Sequence, residues 1–316
     1  MEEKIISFFS NKFNGDDGAV VSFAELFAAT LASNTSFLKP NSVLTNSANL
    51  QKPNLKRPAS YKSLLNSKLV LSKDLFAQES HFKRGWLSLE EVGKKAVAVN
   101  VSDAVAMNAT PVFALLGLGV GRDFDATMRT QLCGAINAEC AKFGVRVIGG
   151  DTIYSPKLCI SLSVISLLNA SDKPLFRTPS KKGDLVLFTG RLGEARKGLN
   201  ALMRGGYVGV KSRFRNVVLR ADFVKKSARF MRCGMDLSDG LASDLPKIAK
   251  GFGVKFYRKL NKAEFCGGED YEMLFTAPKR NLPRLLNEAK RARVRLSVLG
   301  KLVQGKVKTY GKFSHF

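Results

Sequence analysis

The sequence lacks the short motifs by which nucleotide and metal sites are most often identified. Only two of its 316 residues are histidine and only five are cysteine, with no C-x-x-C pair among them. This cysteine usage disfavours a zinc site and favours reduced thiols in a cytoplasmic protein. Neither G-x-x-x-x-G-K-S/T nor G-x-G-x-x-G occurs, since the glycines at Gly117, Gly119 and Gly121 have the wrong spacing. Their absence argues against a P-loop or a Rossmann nucleotide site.

Long apolar runs are also missing. The longest candidate, Val112 to Val120, is interrupted by Gly117 and Gly119, whereas a membrane-spanning helix needs about 18 or more apolar residues. The first residues, Met1 to Lys4, lack the basic segment of a secretion signal. We therefore expect a cytoplasmic protein without a membrane segment. Its 316 residues, 45% of them apolar, are enough for two domains with separate cores.

Acidic residues are scarce relative to basic ones. There are 26 against 51, which gives a formal net charge of +25. Such a charge attracts anions, including nucleotides, phosphorylated metabolites and nucleic acid. In the very basic segment after Lys279, apolar residues from Leu282 to Ala292 keep helical spacing, which indicates a helix with a solvated basic face. No recognised nucleic-acid-binding motif accompanies it, so nucleic acid is disfavoured as a partner.

The most informative stretch that is present runs from Met235 to Leu245. It begins with the alternation of a strand and changes at Ser238 to the i, i+4 spacing of a helix. Asp239 could be the N-cap of that helix, but Asp236 precedes the turn and could not. Two carboxylates and a hydroxyl at one strand end also suit a divalent cation with hard oxygen ligands. Capping and ion or phosphate binding both remain open for this stretch alone.

Further aspartates occupy similar places in the chain. They lie at predicted strand ends, in glycine turns or on an apolar helix face: Asp17, Asp74, Asp103, Asp151, Asp236 and Asp239. Asp103 extends the apolar stripe of a helix that starts at the capping box Ser88 to Glu91. A charge there needs a metal ion or a basic partner. Carboxylates that hold cations against substrate phosphates are typical of phosphoryl transfer. The residues therefore indicate a magnesium-dependent, ATP-using enzyme without a P-loop.

Six motifs in order give a resemblance to a known family. They are Gly15-Asp16-Asp17, Ser72-Lys73-Asp74 with His81-Phe82, Val99-Asn100-Val101-Ser102-Asp103, Ile148-Gly149-Gly150-Asp151-Thr152, Asp236-Leu237-Ser238-Asp239-Gly240-Leu241 and Gly267-Gly268-Glu269-Asp270-Tyr271-Glu272. The series resembles thiamine-monophosphate kinase, of the aminoimidazole-ribonucleotide-synthetase-like superfamily. The resemblance implies a two-domain α+β fold. Residues 1–170 would form an N-terminal ATP- and magnesium-binding domain whose sheet builds a barrel with its twin in a homodimer. Residues 22–67 would be a loop insertion, and 171–316 a C-terminal α/β domain.

The resemblance also implies a reaction and a set of site residues. The γ-phosphoryl group of ATP would pass directly to thiamine monophosphate, with no general base or covalent nucleophile. Several Mg²⁺ ions would be held by Asp17, Ser72, Lys73, Asp74, Asp103, Asp151, Asp236 and Asp239. ATP would contact Gly150, Asp151, Arg177 and Ser238. The thiamine substrate would contact His81, Glu269 and Phe313.

The chain departs from the family pattern in three places. Lys73 stands where the family usually has threonine, so only its backbone carbonyl could bind a metal ion. The 22–67 segment is longer than usual, and the segment between Leu245 and Gly267 is shorter. The alternatives are another ATP-using member of the superfamily, such as a selenophosphate synthetase, or a basic nucleic-acid-binding protein. The first cysteine, Cys133, comes too late for the reactive residue of the former.

Overall fold

The structure is a computed structural model that describes residues 19–22 and 67–307. Two of the predicted site residues, Asp17 and Phe313, lie outside these residues, as does nearly all of the predicted 22–67 insertion. No helix in the described part of the chain is long and apolar enough to cross a membrane.

The N-terminal half forms one five-stranded sheet, with the order β1-β2-β5-β3-β4. Its strands are β1 (Ala19–Ser22), β2 (Lys68–Ala77), β3 (Thr110–Val120), β4 (Arg146–Tyr154) and β5 (Cys159–Leu168). All neighbouring pairs are antiparallel except β3 and β4, which are parallel. Along β5, the buried Ile160, Leu162 and Val164 alternate with half-buried residues, as the sequence pattern predicts for a strand with one face in the core.

Among the described residues, two helices cover the inner face of this sheet. They are α1 (Leu89–Ala106) and α2 (Ala126–Lys142). The predicted capping box at the start of α1 is confirmed, because Ser88 Oγ accepts from Glu91 N–H while the Glu91 carboxylate accepts from Ser88 N–H. Helix α1 is mostly buried, since it lies between the N-terminal sheet and elements of the C-terminal half.

The C-terminal half forms a second five-stranded sheet, with the order β7-β9-β6-β10-β8 and antiparallel neighbours throughout. Its strands are β6 (Leu185–Thr189), β7 (Cys233–Asp236), β8 (Phe252–Phe256), β9 (Met273–Ala277) and β10 (Leu296–Gln304). Its helices are α3 (Glu194–Met203), α4 (Ala221–Ser227), α5 (Leu241–Ile248), α6 (Lys262–Cys266) and α7 (Leu282–Arg291), with 3₁₀ turns at Ala228–Phe230 and Lys279–Asn281.

One hydrophobic core joins the two halves. A cluster of buried side chains includes Phe76 and Ala104 from the N-terminal half with Phe223 and Phe275 from the C-terminal half. A second cluster lies within the C-terminal half, where α5 and α6 pack on the sheet. The predicted domain boundary near residue 170 falls between the strands of the two sheets and stays a prediction.

Two details of the predicted strands are wrong. Asp74 does not end its strand, because β2 continues to Ala77 in an unbroken antiparallel ladder with β5. Asp151 is not in a turn, because β4 runs through it in parallel register with β3, where Asp151 lies opposite Gly117. Both strands extend beyond their apolar pattern because a neighbouring strand supplies backbone partners there.

Candidate functional site

Asp236, the last residue of β7, is the buried centre of the candidate site. Asp236 is only 5% exposed. Its carboxylate accepts a hydrogen bond of 2.6 Å from Ser102 Oγ of α1. Burial raises the pKa of Asp236, whereas the Ser102 hydrogen bond and the positive charge of Arg177 lower it. Because a negative charge is costly to bury, this carboxylate would be stabilised by a cation bound beside it.

Helix α1 is fixed to the N-terminal sheet by Asn100. The Oδ1 atom of Asn100 accepts from the backbone N–H groups of Asp74 at 3.1 Å and Leu162 at 3.3 Å. Its Nδ2 atom donates to the Ala96 carbonyl at 2.8 Å. These bonds set the position of Asp74 on β2 relative to Asp103, one turn further along α1.

Four carboxylates from separate segments lie near enough to Tyr271 to act on its hydroxyl electrostatically. Burial raises the pKa of Tyr271 well above its usual value, and the negative charges of Glu269, Asp74, Asp236 and Asp103 raise it further. Asp74 comes from β2, Asp103 from α1 and Asp236 from β7. The fold therefore brings three of the predicted aspartates into one electrostatic environment.

The Ser238-Asp239 turn is held by a lysine. Lys247 Nζ of α5 lies 2.8 Å from Asp239 Oδ2 and 2.9 Å from Asp244 Oδ1. The Asp239 N–H donates to Asp244 Oδ2 at 3.0 Å, and burial raises the pKa of Asp244 to about 7. Asp239 is not the N-cap, which is Gly240 without a side-chain cap. The basic partner draws the Asp239 carboxylate away from the helix N–H groups.

The loop from Gly267 to Glu272 is anchored by all three of its acids. Glu269 Oε2 pairs with Lys95 Nζ of α1 at 2.7 Å. Asp270 accepts from the N–H groups at the start of α3, Gly193 at 2.6 Å and Ala195 at 3.0 Å, while burial raises its pKa to about 7.

The third acid, Glu272, is the most heavily bonded. It accepts from Thr189 Oγ1 at 2.7 Å, from Arg220 Nε at 2.7 Å and from Arg213 Nη2 at 3.1 Å. Glu272 is 1% exposed, so these donors meet the need of a buried charge for partners. Asp270 and Glu272 thereby have structural partners, and both hold the loop that carries Glu269.

The remaining predicted residues lie in different local environments. Ser72 Oγ is buried on β2 and has no hydrogen-bond partner among the residues of known position, whereas Lys73 is exposed. The His81 ring lies tilted against that of Phe76, with ring centroids 5.0 Å apart, and its Nδ1 accepts from the Ala77 N–H. Arg177 lies close enough to Asp236 to lower the pKa of that carboxyl.

Gly150 and Asp151 lie apart from the carboxylates around Tyr271. Strand β4 is three strands from β2 in the order β2-β5-β3-β4, which corresponds to about 14 Å at the usual spacing. Asp151 is exposed on this edge strand. A side chain at Gly150 would overlap the Leu116 backbone carbonyl, so only glycine fits there.

The donor set fits magnesium in chemistry, although its ligands are not preassembled. In the part of the chain that the structure describes, no three His, Cys, Asp or Glu side chains already form a group that could hold a metal ion. The Ser72 hydroxyl, which has no hydrogen-bond partner among the described residues, and the buried Asp236 carboxylate are nevertheless oxygen groups that a bound cation would satisfy. Hard oxygen ligands of this kind favour magnesium over softer metals.

Comparisons with known proteins identify the family. Residues 58–168 match the family described as "AIR synthase related protein, N-terminal domain". The thiamine-monophosphate kinase of Aquifex aeolicus (strain VF5) is 30% identical over 278 residues, which cover 79% of this chain and 89% of that protein. This chain belongs to the thiamine-monophosphate kinase family. The enzyme of that name from Pyrococcus horikoshii is 28% identical over 215 residues, 62% of this chain and 69% of that protein.

Solved structures agree with membership of the thiamine-monophosphate kinase family at the level of fold. The structure described as "AaThiL complexed with AMPPCP and TMP" superimposes with a TM-score of 0.74 at 24% identity, covering 99% of this chain and 93% of that chain. The thiamine-monophosphate kinase from Stenotrophomonas maltophilia K279a gives 0.70 at 21% identity, covering 94% and 99%. The hydrogenase maturation protein HypE gives 0.61 at 16% identity, covering 75% and 80%. The predicted α+β fold of the superfamily is thereby confirmed.

Sequence reasoning missed several residues of this family member's site. They are Lys95, Thr189, Arg213, Arg220 and Lys247, whereas Ser102 and Tyr271 lie within the quoted motifs but have no predicted role. Lys95 gives a weak signal, because it lies on the predicted helix that starts at Ser88 and directly precedes the apolar residues Ala96 to Val99. A buried lysine requires a carboxylate partner, but the sequence does not say which.

Proposed function

We propose that this protein is a thiamine-monophosphate kinase, which uses ATP to convert thiamine monophosphate to thiamine diphosphate. The observation that carries the proposal is that Asp74, Asp103 and Asp236, from three separate elements, all act electrostatically on Tyr271, in a chain whose family is named for this reaction. ATP and thiamine monophosphate both bring anionic phosphates to the site. A protein with a net charge of +25 attracts them, and the carboxylates give cations a place between them.

We propose that several Mg²⁺ ions are held by the predicted set of oxygen ligands. That set is Asp17, Ser72, the backbone carbonyl of Lys73, Asp74, Asp103, Asp151, Asp236 and Asp239. When bound, the ions would neutralise charge on the transferring phosphoryl group and align the two substrates. The Lys247 ammonium already neutralises Asp239 in part, so we expect that carboxylate to bind a cation more weakly than Asp236.

The protein's own residues would bind and orient the substrates. Gly150, Arg177 and Ser238 are proposed to contact ATP, and His81, Glu269 and Phe313 to contact the thiamine moiety. The acceptor oxygen belongs to a phosphate that is already ionised at neutral pH, so no side chain is needed as a general base. The transfer is then a direct in-line attack without a phosphoenzyme.

We further propose that the functional unit is a homodimer formed through the outer face of the N-terminal sheet. That face exposes an unusual amount of apolar surface for a monomer, from Leu71, Leu75, Phe113, Leu115, Ile148 and Ile153. Asp151 lies on the edge strand of the same sheet, three strands from Asp74. A dimer whose interface includes β4 would explain why one chain alone leaves Asp151 apart from the other aspartates.

Incubation with Mg²⁺, ATP and thiamine monophosphate tests the proposed reaction directly. We expect thiamine diphosphate and ADP in equal amounts, measured by chromatography or ³¹P NMR. Asp103→Asn is the negative control, because Asp103 is a proposed metal ligand. ADP release without thiamine diphosphate would contradict the proposal. Recovery of phosphate bound covalently to the protein would contradict direct transfer.

A further inference from the structure

A fully buried ion pair connects helix α1 to the loop that carries Glu269. Lys95 Nζ lies 2.7 Å from Glu269 Oε2, and the two side chains are 0% and 5% exposed. The ammonium also lies 4.0 Å from the ring centroid of Phe214 and 5.7 Å from that of Phe76. Aromatic rings stabilise a cation but accept no strong hydrogen bond. The Glu269 carboxylate is therefore the anion on which the buried lysine depends.

The Glu269 backbone is constrained as well as its side chain. Its N–H donates to the Ser238 carbonyl at 2.7 Å, beside the turn proposed to contact ATP. Its φ angle is +61°, an unfavourable conformation for a residue with a side chain. The turn after β7 thus fixes the Glu269 backbone, and α1 fixes its carboxylate. Such double anchoring is characteristic of groups held for recognition.

The ion pair changes what the carboxylate can do for a ligand. Thiamine monophosphate has a permanently positive thiazolium ring and a pyrimidine ring with an amino group. An isolated buried carboxylate would attract the thiazolium charge. When an ammonium lies 2.7 Å away, the two charges largely cancel beyond the pair, and the carboxylate acts mainly through directed hydrogen bonds.

We propose that Lys95 is a positioning residue for substrate selectivity. It fixes Glu269 and cancels its charge, so that Glu269 accepts a hydrogen bond from the amino group of the pyrimidine ring instead of serving as a counter-ion to the thiazolium. This inference rests on the proposed kinase function. It assigns Lys95 a role in selectivity beyond keeping the core folded.

Kinetics with two acceptors test the proposal. The acceptors are thiamine monophosphate and the analogue whose pyrimidine lacks the amino group. For the wild type we expect kcat/KM to be at least about ten-fold lower with the analogue. Lys95→Met should reduce this selectivity to within about three-fold and raise KM for thiamine monophosphate at least about ten-fold. KM for ATP should stay within about two-fold, because the backbone hydrogen bond from Glu269 to the Ser238 turn does not involve the Lys95 side chain. Lys95→Arg, which keeps the cation, should restore most of the selectivity.

Arg232→Met is the matched control. Arg232 pairs with Asp184, which is 3% exposed. Arg232 directly precedes β7, at the opposite end of that strand from Asp236. This substitution also leaves a buried carboxylate without its cation. We therefore expect it to lower the melting temperature and to leave both KM values and the selectivity unchanged. Equal loss of selectivity in this control would overturn the proposal, because the effect would then be general destabilisation.

Two further outcomes are decisive. Wild-type selectivity in Lys95→Met would overturn the role of Lys95 while leaving the kinase function intact. If Lys95→Met does not fold, the double variant Lys95→Met/Glu269→Gln removes both charges together. The single variant Glu269→Gln is measured beside it: lower selectivity in the double variant than in Glu269→Gln would support the role of Lys95, and equal selectivity in the two would overturn it. No turnover of thiamine monophosphate by the wild type would overturn the kinase function and this inference with it.

Discussion

At the scale of single residues, the site depends on carboxylates that are buried where a charge is costly. Asp236, Asp244 and Asp270 all have a raised pKa, and burial is the largest cause in each. Such groups reduce stability when ionised, and they persist where a bound cation or a structural role compensates. For Asp236, a proposed cation ligand, function and stability should therefore respond in opposite directions to substitution.

For Asp236→Asn we expect kcat to fall at least about 100-fold, because a proposed cation ligand and its charge are lost. In the absence of Mg²⁺ at pH 8, the melting temperature should rise by about 2 to 4 °C, since an amide removes the cost of the buried charge. Differential scanning fluorimetry and steady-state kinetics measure both effects.

Asp184→Asn is the control for that experiment. Asp184 is equally buried but is paired with Arg232, so its substitution should lower the melting temperature and leave kcat unchanged. A lower melting temperature with normal turnover in Asp236→Asn would show that Asp236 is only a structural residue.

Asp270 gives a pH dependence whose sign follows from its pKa. Burial raises that pKa from 3.8 to about 7, so between these pH values the folded chain keeps a proton that the unfolded chain releases. The free energy of unfolding therefore falls as the pH rises through this window. The shift of about three units corresponds to at most about 4 kcal/mol.

Urea unfolding at pH 5 and pH 8 measures this contribution. In Asp270→Asn the loss of stability between the two pH values should be smaller than in the wild type by about 1 to 3 kcal/mol. Asp222→Asn, at an exposed acid on α4, should leave the loss unchanged. An unaltered pH dependence in Asp270→Asn would mean that Asp270 is ionised throughout.

At the scale of elements, the 267–272 loop is the part on which the site depends. Its acids reach α1, the start of α3 and the end of β6. Gly190 follows β6, has a φ of +65°, and has space for no side chain, because a Cβ there would overlap the Glu272 carboxylate. The close contact between this glycine and Glu272 permits the two arginines to share one carboxylate.

Gly190→Ala should destabilise the protein by about 3 kcal/mol or more, because it combines a strained φ with disruption of a buried ion pair. Gly205→Ala is the matched control. Gly205 has a φ of +74° and nothing within 4 Å of its would-be Cβ, so only the conformational strain remains, about 1 kcal/mol. Chemical denaturation measures both, and equal effects would refute the importance of the Glu272 contact.

At the scale of the whole molecule, the two halves share a core through α1, while the outer face of the N-terminal sheet is exposed. Leu75 is 51% exposed, Leu115 44% and Ile153 62%. Side chains of this kind on one side of a sheet are typical of an interface between copies. We expect assembly and activity to depend on that face together.

Leu115→Glu should convert a dimer into a monomer, because a charge cannot be buried in an apolar interface without a partner. We expect turnover to fall as well if Asp151 acts across the interface. Size-exclusion chromatography with light scattering measures the mass. Leu286→Glu, at a leucine 46% exposed on α7, is the control and should leave mass and turnover unchanged. A monomeric wild type would overturn the dimer proposal.

The sequence by itself determined the features that depend on neighbouring residues. The change of period after Met235 marks the passage from β7 to α5, the Ser88 capping box starts α1, and the alternation in β5 sets its buried face. Propensity, capping and periodicity act over a few residues, so a single sequence is enough to read them. The motif series also indicated the family, which the comparisons confirm.

Only the tertiary structure decided which distant residues meet. Ser102 and Asp236 are 134 residues apart in the chain, and Lys95 and Glu269 are 174 apart. It also decided that Asp239 pairs with Lys247 instead of capping α5, and that Asp74 and Asp151 lie within strands three apart in the sheet. These outcomes depend on how α1 packs between the two sheets and on which strand supplies backbone partners. No local pattern carries that information, because packing sums many weak contacts between segments far apart in sequence.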